Sequence, residues 1–127
     1  SGKKARTDAA VVDDADVEQI VVEGAGASDA NGTYKRCQSY DSLSIHYDRN
    51  APVYSKRGSW EGKAVKFFIH RSLCTKCWYI RYEKETGGYP TMLYISRLEL
   101  VTNLPPKSYW GVISCTGGIS PSPRLKW

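Results

Sequence analysis

The chain has 127 residues, 41% hydrophobic, 12% aromatic and 24% charged, a balance that fits one folded domain and excludes both a disordered polypeptide and a catalytic domain joined to a separate cofactor domain. Eighteen Lys and Arg against 13 Asp and Glu leave a net charge of +5, which suits an acidic partner: protein, nucleic acid or anionic lipid. No stretch reaches the ~20 apolar residues of a membrane-spanning helix; the longest clean runs are Val11-Val12, Ile20-Val21-Val22 and Phe67-Phe68-Ile69.

Residues 1–19 carry three basic and five acidic side chains, a net of −2, so that the remainder of the chain holds +7. With no aromatic residue and no sustained apolar stripe, this part reads as an extended or disordered arm that orders against a partner or lies back on the basic body. A start at Ser1-Gly2 without Met is expected of a processed mature end or of a short residual extension, and a processed end would make an organelle such as a plastid the compartment.

From Ile20 onward short β-rich runs alternate with Gly, Asn, Asp, Pro and Ser, and residues 20–118 are predicted to form an all-β domain. The first strand is Ile20 to Glu23. Asn31-Gly32 supplies a tight turn into a second strand, Thr33 to Gln38. After an irregular polar stretch from Ser39 to Asn50, Pro52-Val53-Tyr54-Ser55 reads as a short edge strand, and Gly58 to Gly62 as a turn. Lys63 to Arg71 alternates Val65, Phe67 and Ile69 against Lys66, Phe68 and His70, the period of a half-buried strand. Across the loop from Ser72 to Lys76 it forms a hairpin with Cys77 to Lys84, where Trp78, Ile80 and Tyr82 share a side. Gly87-Gly88 turns the chain into Thr91 to Leu100, Pro105-Pro106 ends that element, and Tyr109 to Cys115 is the last strand. Residues 119–127 form an extended tail ending in Trp127. About seven sequential strands predict a small antiparallel meander, barrel or sandwich, closed by pairing its ends. Nine Tyr and four Trp against two Phe and one Met suit a thin β core whose large residues keep a polar edge.

No catalytic signature stands out, and no enzymatic role or cofactor is expected. Cys74-Thr75-Lys76-Cys77 is a single C-x-x-C where a zinc ribbon needs two pairs, so Cys37, Cys115, His70 or His46 would have to supply the remaining ligands. A redox C-x-x-C opens a helix, whereas this one opens a strand. Loop and core thiols are the leading reading. If the second and last strands pair, Cys37 and Cys115 face each other and form a disulfide in an oxidising compartment. His46 and His70 have no partner at triad spacing. His70 is read as a surface residue on the outer side of its strand. Glu83 and Glu85 flank Lys84 as solvated charges, and Gly24-Ala25-Gly26 lacks the rest of a dinucleotide fingerprint.

Lys56, Arg57, Lys63, Lys66, His70, Arg71, Lys76, Arg81 and Lys84 cluster around two adjacent predicted strands, interleaved with Phe68, Trp78 and Tyr79. A basic face with aromatic rings can stack nucleic-acid bases. The same residues serve a protein interface, where Trp, Tyr and Arg are favoured, and aromatic surface also captures sugars or other small ligands. The interaction candidates are therefore Arg57, Lys66, Phe68, His70, Arg71, Lys76, Trp78, Tyr79 and Arg81, with Trp127 on the tail.

Val22-Glu23-Gly24-Ala25-Gly26, Asn31-Gly32-Thr33-Tyr34, Pro52-Val53-Tyr54, Cys77-Trp78-Tyr79-Ile80, Leu93-Tyr94-Ile95-Ser96 and Pro105-Pro106 before Trp110-Gly111-Val112 form an ordered series. This series, over residues 20–127, resembles a recurrent all-β module of algal and other protist proteins that occurs alone, repeated or appended to enzymes. The resemblance transfers no catalytic residue and implies a binding or scaffold module. The resulting expectation is a non-catalytic accessory, extrinsic subunit of a larger assembly, for instance an organellar membrane complex such as a photosystem, associated with the membrane through protein partners. A nucleic-acid-binding β domain and a carbohydrate- or small-ligand-binding module are the alternatives.

Overall fold

A computed structural model of the chain describes residues 17–37, 47–96 and 102–127. Its strands are β1 (Gln19–Glu23), β2 (Gly32–Arg36), β3 (Tyr54–Trp60), β4 (Lys63–Arg71), β5 (Trp78–Lys84), β6 (Thr91–Ser96), β7 (Trp110–Val112) and β8 (Arg124–Lys126). They form one antiparallel sheet in the order β7-β6-β5-β4-β3-β2-β1-β8, curled into a nearly closed barrel. Two single-turn 3-10 segments, Ser28–Ala30 and Ser114–Thr116, accompany the strands, and the described residues contain no α-helix. The expected all-β meander is the fold, with eight strands where about seven were read.

The barrel interior follows from the period of two along each strand. Ile20 and Val22 of β1, Tyr34 of β2, Tyr54 of β3, Val65, Phe67 and Ile69 of β4, Trp78, Ile80 and Tyr82 of β5, Tyr94 of β6, Trp110 of β7 and Leu125 of β8 are all buried in one cluster. Register brings them into contact: Tyr54 pairs with Ile69, Ile69 with Ile80, and Ile80 with Tyr94. The polar tips of the aromatics are satisfied inside, as Tyr34 Oη donates to Ala30 O at 2.6 Å, Tyr54 Oη to Val17 O at 2.8 Å and Trp110 Nε1 to Pro106 O at 2.8 Å. Burial drives the Tyr34 hydroxyl well above its ordinary pKa, with Tyr94 adding to the effect.

The β3–β4 connection differs from the expectation of a turn across Gly58 to Gly62. β3 runs on to Trp60, and the hairpin closes on Glu61 and Gly62 alone, both with positive φ (51° and 78°) as a two-residue turn of the primed type demands. Gly58 belongs to the strand because the Phe67 ring occupies the space beside it: a Cβ there would lie 3.1 Å from Phe67 Cε2.

Closure also differs. The strand expected over Tyr109 to Cys115 is reduced to three residues before the 3-10 turn. The C-terminal tail supplies the missing wall: β8 pairs with β1 through Val21–Lys126, Val22–Leu125 and Glu23–Arg124. Leu125 N donates to Lys107 O at 2.8 Å, joining β8 to the segment entering β7. Residues 124–126 are thus part of the barrel rather than a separate tail. Cys37 follows β2 and Cys115 follows β7, and four strands separate β2 from β7 in the sheet. The Cys37–Cys115 disulfide is therefore not formed, and all four cysteines are free thiols. Most of the arm 1–19, most of the Ser39 to Asn50 stretch, and residues 97–100 of the sixth predicted strand lie outside the described residues.

Candidate functional site

The outer wall of β3, β4 and β5 carries the interaction candidates, and the structure divides them. Along the wall Ser55 pairs with Phe68 and Phe68 with Arg81, while Arg57 pairs with Lys66 and Lys66 with Glu83. At one end the chain from Tyr47 to Val53 crosses over the wall: Tyr47 bridges to Ser72, and Asp48 N donates to Arg71 O at 2.8 Å. Tyr47, Val53 and Phe68 bury one another there in a second small cluster with Cys37 against it. Phe68 and Arg71 are buried against this crossing, His70 and Arg81 are buried beside Phe68, and Trp78 is buried in the barrel interior. The expectation that His70 is a surface residue is corrected: it is 1% exposed. Strand alternation gave its side of the sheet correctly, but not the segment lying over that side.

His70 stacks on Tyr79 with ring centroids 5.6 Å apart, and its Nδ1 accepts from Arg81 Nε at 3.3 Å. Burial, and then the Arg81 charge, push its pKa down to about 3, so the ring is neutral at physiological pH. Arg81 lies flat on the Phe68 ring at 4.3 Å and pairs through Nη1 with Glu83. Its Nη2 is buried without a hydrogen-bond partner. Burial draws Arg81 below its ordinary pKa while the Glu83 carboxylate acts in the opposite direction. Lys76 pairs with Asp48 at 2.8 Å. These side chains form the structural end of the wall. Phe68 and Trp78, two of the three rings invoked for base stacking, are enclosed, and Tyr79 is half-buried against His70.

The other end of the wall is open. Thr33 and Lys35 of β2, Ser55, Lys56 and Arg57 of β3, and Lys66 of β4 line a shallow groove of about 500 Å³. A smaller depression beside it, lined by Arg57, Lys66, Phe68, Glu83, Lys84 and Glu85, shares its central cations. Arg57 and Lys66 stand directly opposite each other across β3 and β4, a like-charge pair that weakens a sheet by a few tenths of a kcal/mol. Among the described residues Lys35, Arg57 and Lys66 have no carboxylate partner. Lys56 is engaged: its Nζ donates to Asp29 O at 2.8 Å and sits 4.8 Å above the Phe67 ring. Partial burial lowers its pKa, and the Asp29 charge opposes that shift. Of the residues forming this groove, sequence reasoning named Lys56, Arg57 and Lys66 and missed Thr33, Lys35 and Ser55. Their alternation with buried Tyr34 and Tyr54 placed them on an outer face, but only the β2–β3 register, Lys35 opposite Ser55, joins that face to Arg57.

Comparisons with protein-family models, with curated proteins and with solved structures each found no match. The groove itself is thus the guide to function. The remaining candidates lie elsewhere. Trp127 is half-buried at the β1–β8 seam, beside Gln19, Val21 and Lys126, with Lys107 Nζ 4.6 Å from its ring; Gln19 and Val21 stand opposite Lys35 and Thr33, so this seam adjoins the groove. Cys74 is exposed and Cys77 half-buried, and no three His, Cys, Asp or Glu side chains converge on a metal position among the described residues. His46 lies outside them. No helix among the described residues is long and apolar enough to cross a membrane.

Proposed function

We propose that this barrel is a non-catalytic interaction module, an accessory subunit of a larger assembly that docks an acidic protein surface against the groove between β2, β3 and β4. The observation that supports this reading is the unneutralised cluster of Lys35, Arg57 and Lys66, with Arg57 and Lys66 held side by side at a cost to the sheet. Charge concentrated in this way steers an oppositely charged partner and fixes its register. The wall behind the groove is stiff, because every strand beneath it is paired on both sides, so docking requires little reorganisation. An extrinsic subunit of an organellar membrane complex, such as a photosystem, is the specific form of this proposal and rests on the resemblance of residues 20–127 to the algal and protist module.

The test is gentle purification from the source cells followed by carbodiimide coupling of carboxylates to amines and mass spectrometry. The expected result is a partner at fixed stoichiometry whose acidic residues cross-link to Lys35, Lys56 and Lys66. Recovery as a monomer, or cross-links confined to lysines outside the groove and the adjoining β1–β8 seam, such as Lys63 and Lys84, would sink the proposal.

A further inference from the structure

We infer that the groove receives a single phosphoserine or phosphothreonine of the partner protein. This inference rests on the docking role proposed above and names what that site recognises.

The groove has more unpaired donors than one carboxylate can use. Arg57 and Lys66 are directly opposed, which sets their Cβ atoms about 5 Å apart. Lys35 reaches the same groove from β2 beside Ser55, and the Thr33 hydroxyl lies on the same side one alternation further along. Lys35, Arg57 and Lys66, with the engaged Lys56 and the Thr33 and Ser55 hydroxyls, therefore line one depression that no carboxylate lines. The nearest acids are otherwise placed: Glu83 stands opposite Lys66 across β4 and β5 but its carboxylate is bound to Arg81, Glu85 lies with it in the adjoining depression, and Asp29 sits beside Lys56. A carboxylate carries one charge and would leave the Arg57–Lys66 repulsion only partly cancelled. A phosphate monoester carries about −1.5 to −2 charges and three acceptor oxygens, enough to accept from Arg57, Lys66 and Lys35 together. Arg57 supplies the planar fork suited to phosphate, and the two lysines add point charges.

The other carriers of phosphate fit less well. No aromatic ring lines the groove, since Phe68, the nearest ring on this wall, is 4% exposed beneath Arg81 and Lys66, so single-stranded nucleic acid finds nothing to stack on. The exposed large apolar side chains, Leu73, Tyr89, Tyr109 and Ile119, lie outside the groove lining, so nothing beside it would enter a bilayer next to a lipid headgroup. A phosphate carried singly on a polypeptide needs neither feature.

The experiment uses the full chain and an immobilised degenerate peptide library with one fixed central phosphoserine. The same library with Ser and with Glu at that position, a duplex DNA and vesicles containing a phosphorylated inositol lipid serve as comparisons, all at ~150 mM salt. The expected result is binding of the phosphoserine library at least ~10-fold tighter than the Ser library, with the Glu library between them. Arg57→Gln and Lys66→Met should each weaken it by ~10-fold or more, the loss of one charge-assisted hydrogen bond. Both side chains are at the surface and should leave folding intact, which circular dichroism checks. Lys107→Gln removes the same charge outside the groove lining and should change nothing. Equal binding of the Glu and phosphoserine libraries overturns the inference and leaves the acidic-partner reading standing. Tighter binding of DNA or vesicles through Arg57 and Lys66 overturns the peptide source, and loss on Lys107→Gln reduces the effect to net charge. Binding of no probe overturns both the inference and the docking role.

Discussion

Asp48 grips the Arg71 guanidinium with one oxygen, Oδ2, which lies 3.1 Å from Nε and 3.0 Å from Nη2 and also accepts from Lys76 Nζ at 2.8 Å. Arg71 Nη1 reaches on to Thr102 O at 2.7 Å, and Trp78 Nε1 donates to the same carbonyl at 3.2 Å. One carboxylate thus ties together the crossing segment at 47–51, the cysteine-bearing loop and the chain at Thr102. Both Asp48 and Arg71 are nearly fully buried, so neither charge has water to fall back on.

Asp48→Asn should therefore destabilise the fold by about 3 kcal/mol, because it leaves Arg71 as a buried, uncompensated cation. On a domain of this size that corresponds to a drop in Tm of about 10 °C. Thermal unfolding measures it, and Lys76→Met, which removes a 40% exposed partner, should cost well under 1 kcal/mol. Similar losses from the two substitutions would show that the Asp48–Arg71 pair is not the anchor.

The pH dependence of stability follows from His70. Its pKa is held near 3 in the folded chain, against about 6.5 when unfolded. Between those values the unfolded state binds the extra proton, so stability is fully present above pH 6.5 and falls as pH drops toward 3. Asp48, held down to about 2 first by its hydrogen bond from Lys76 and then by Asn50 N, adds a second loss that begins only below its ordinary value of 3.8. Urea titrations at pH 7, 6 and 5.5 should show the midpoint already falling above the ordinary carboxylate range. A His70→Gln variant, whose amide oxygen can accept from Arg81, should flatten that decline; an unchanged slope would mean that another group is responsible.

Most of the fold was legible because its strands obey a period of two with marked turns. β4 begins and ends where the alternation of Val65, Phe67 and Ile69 placed it, and the β4–β5 hairpin follows. Two features were not legible, for the same physical reason: a segment far along the chain supplies a surface. The Arg124–Lys126 run looks like a polar tail until β1 is seen to need a neighbour. Phe68 and Arg71 look like surface residues until the Tyr47 to Val53 crossing and Asp48 cover them, and His70 and Arg81 are buried beside them. A period of two tells which side of a sheet a residue occupies, not what lies over that side. The groove was half legible: Arg57 and Lys66 were named, while Lys35 joined them only through strand register.

One hydroxyl bridges two segments at the barrel seam. Tyr94 Oη, on β6, accepts from Ala27 N at 3.0 Å and donates to Ile119 O at 2.8 Å, linking the β1–β2 connection to the chain leading into β8. Tyr94→Phe keeps the ring and strands a buried donor at Ala27, at a cost of about 2 kcal/mol. Hydrogen exchange should show the Ala27 and Gly26 amides losing protection ahead of the β4–β5 amides, since Gly26 N is bonded to Pro121 O on the same seam. Uniform loss of protection across the sheet would contradict a local role for Tyr94.

The C-terminal residues pass from the barrel interior to its rim within three positions. Leu125 is 3% exposed and belongs to the barrel core, whereas Trp127, half-buried, lies outside it under Lys107. Leu125→Ala should cost roughly 2–4 kcal/mol, the transfer and cavity cost of a buried leucine, and should loosen β1 as well because Val22 loses its cross-strand partner. Trp127→Ala removes a cation–π contact and part of a packed ring and should cost about 1 kcal/mol. Chemical denaturation of the two variants side by side decides the matter. If Leu125→Ala leaves stability unchanged, β8 is an appended arm; if Trp127→Ala is the more damaging, the seam is held from outside by the indole rather than from within by the leucine.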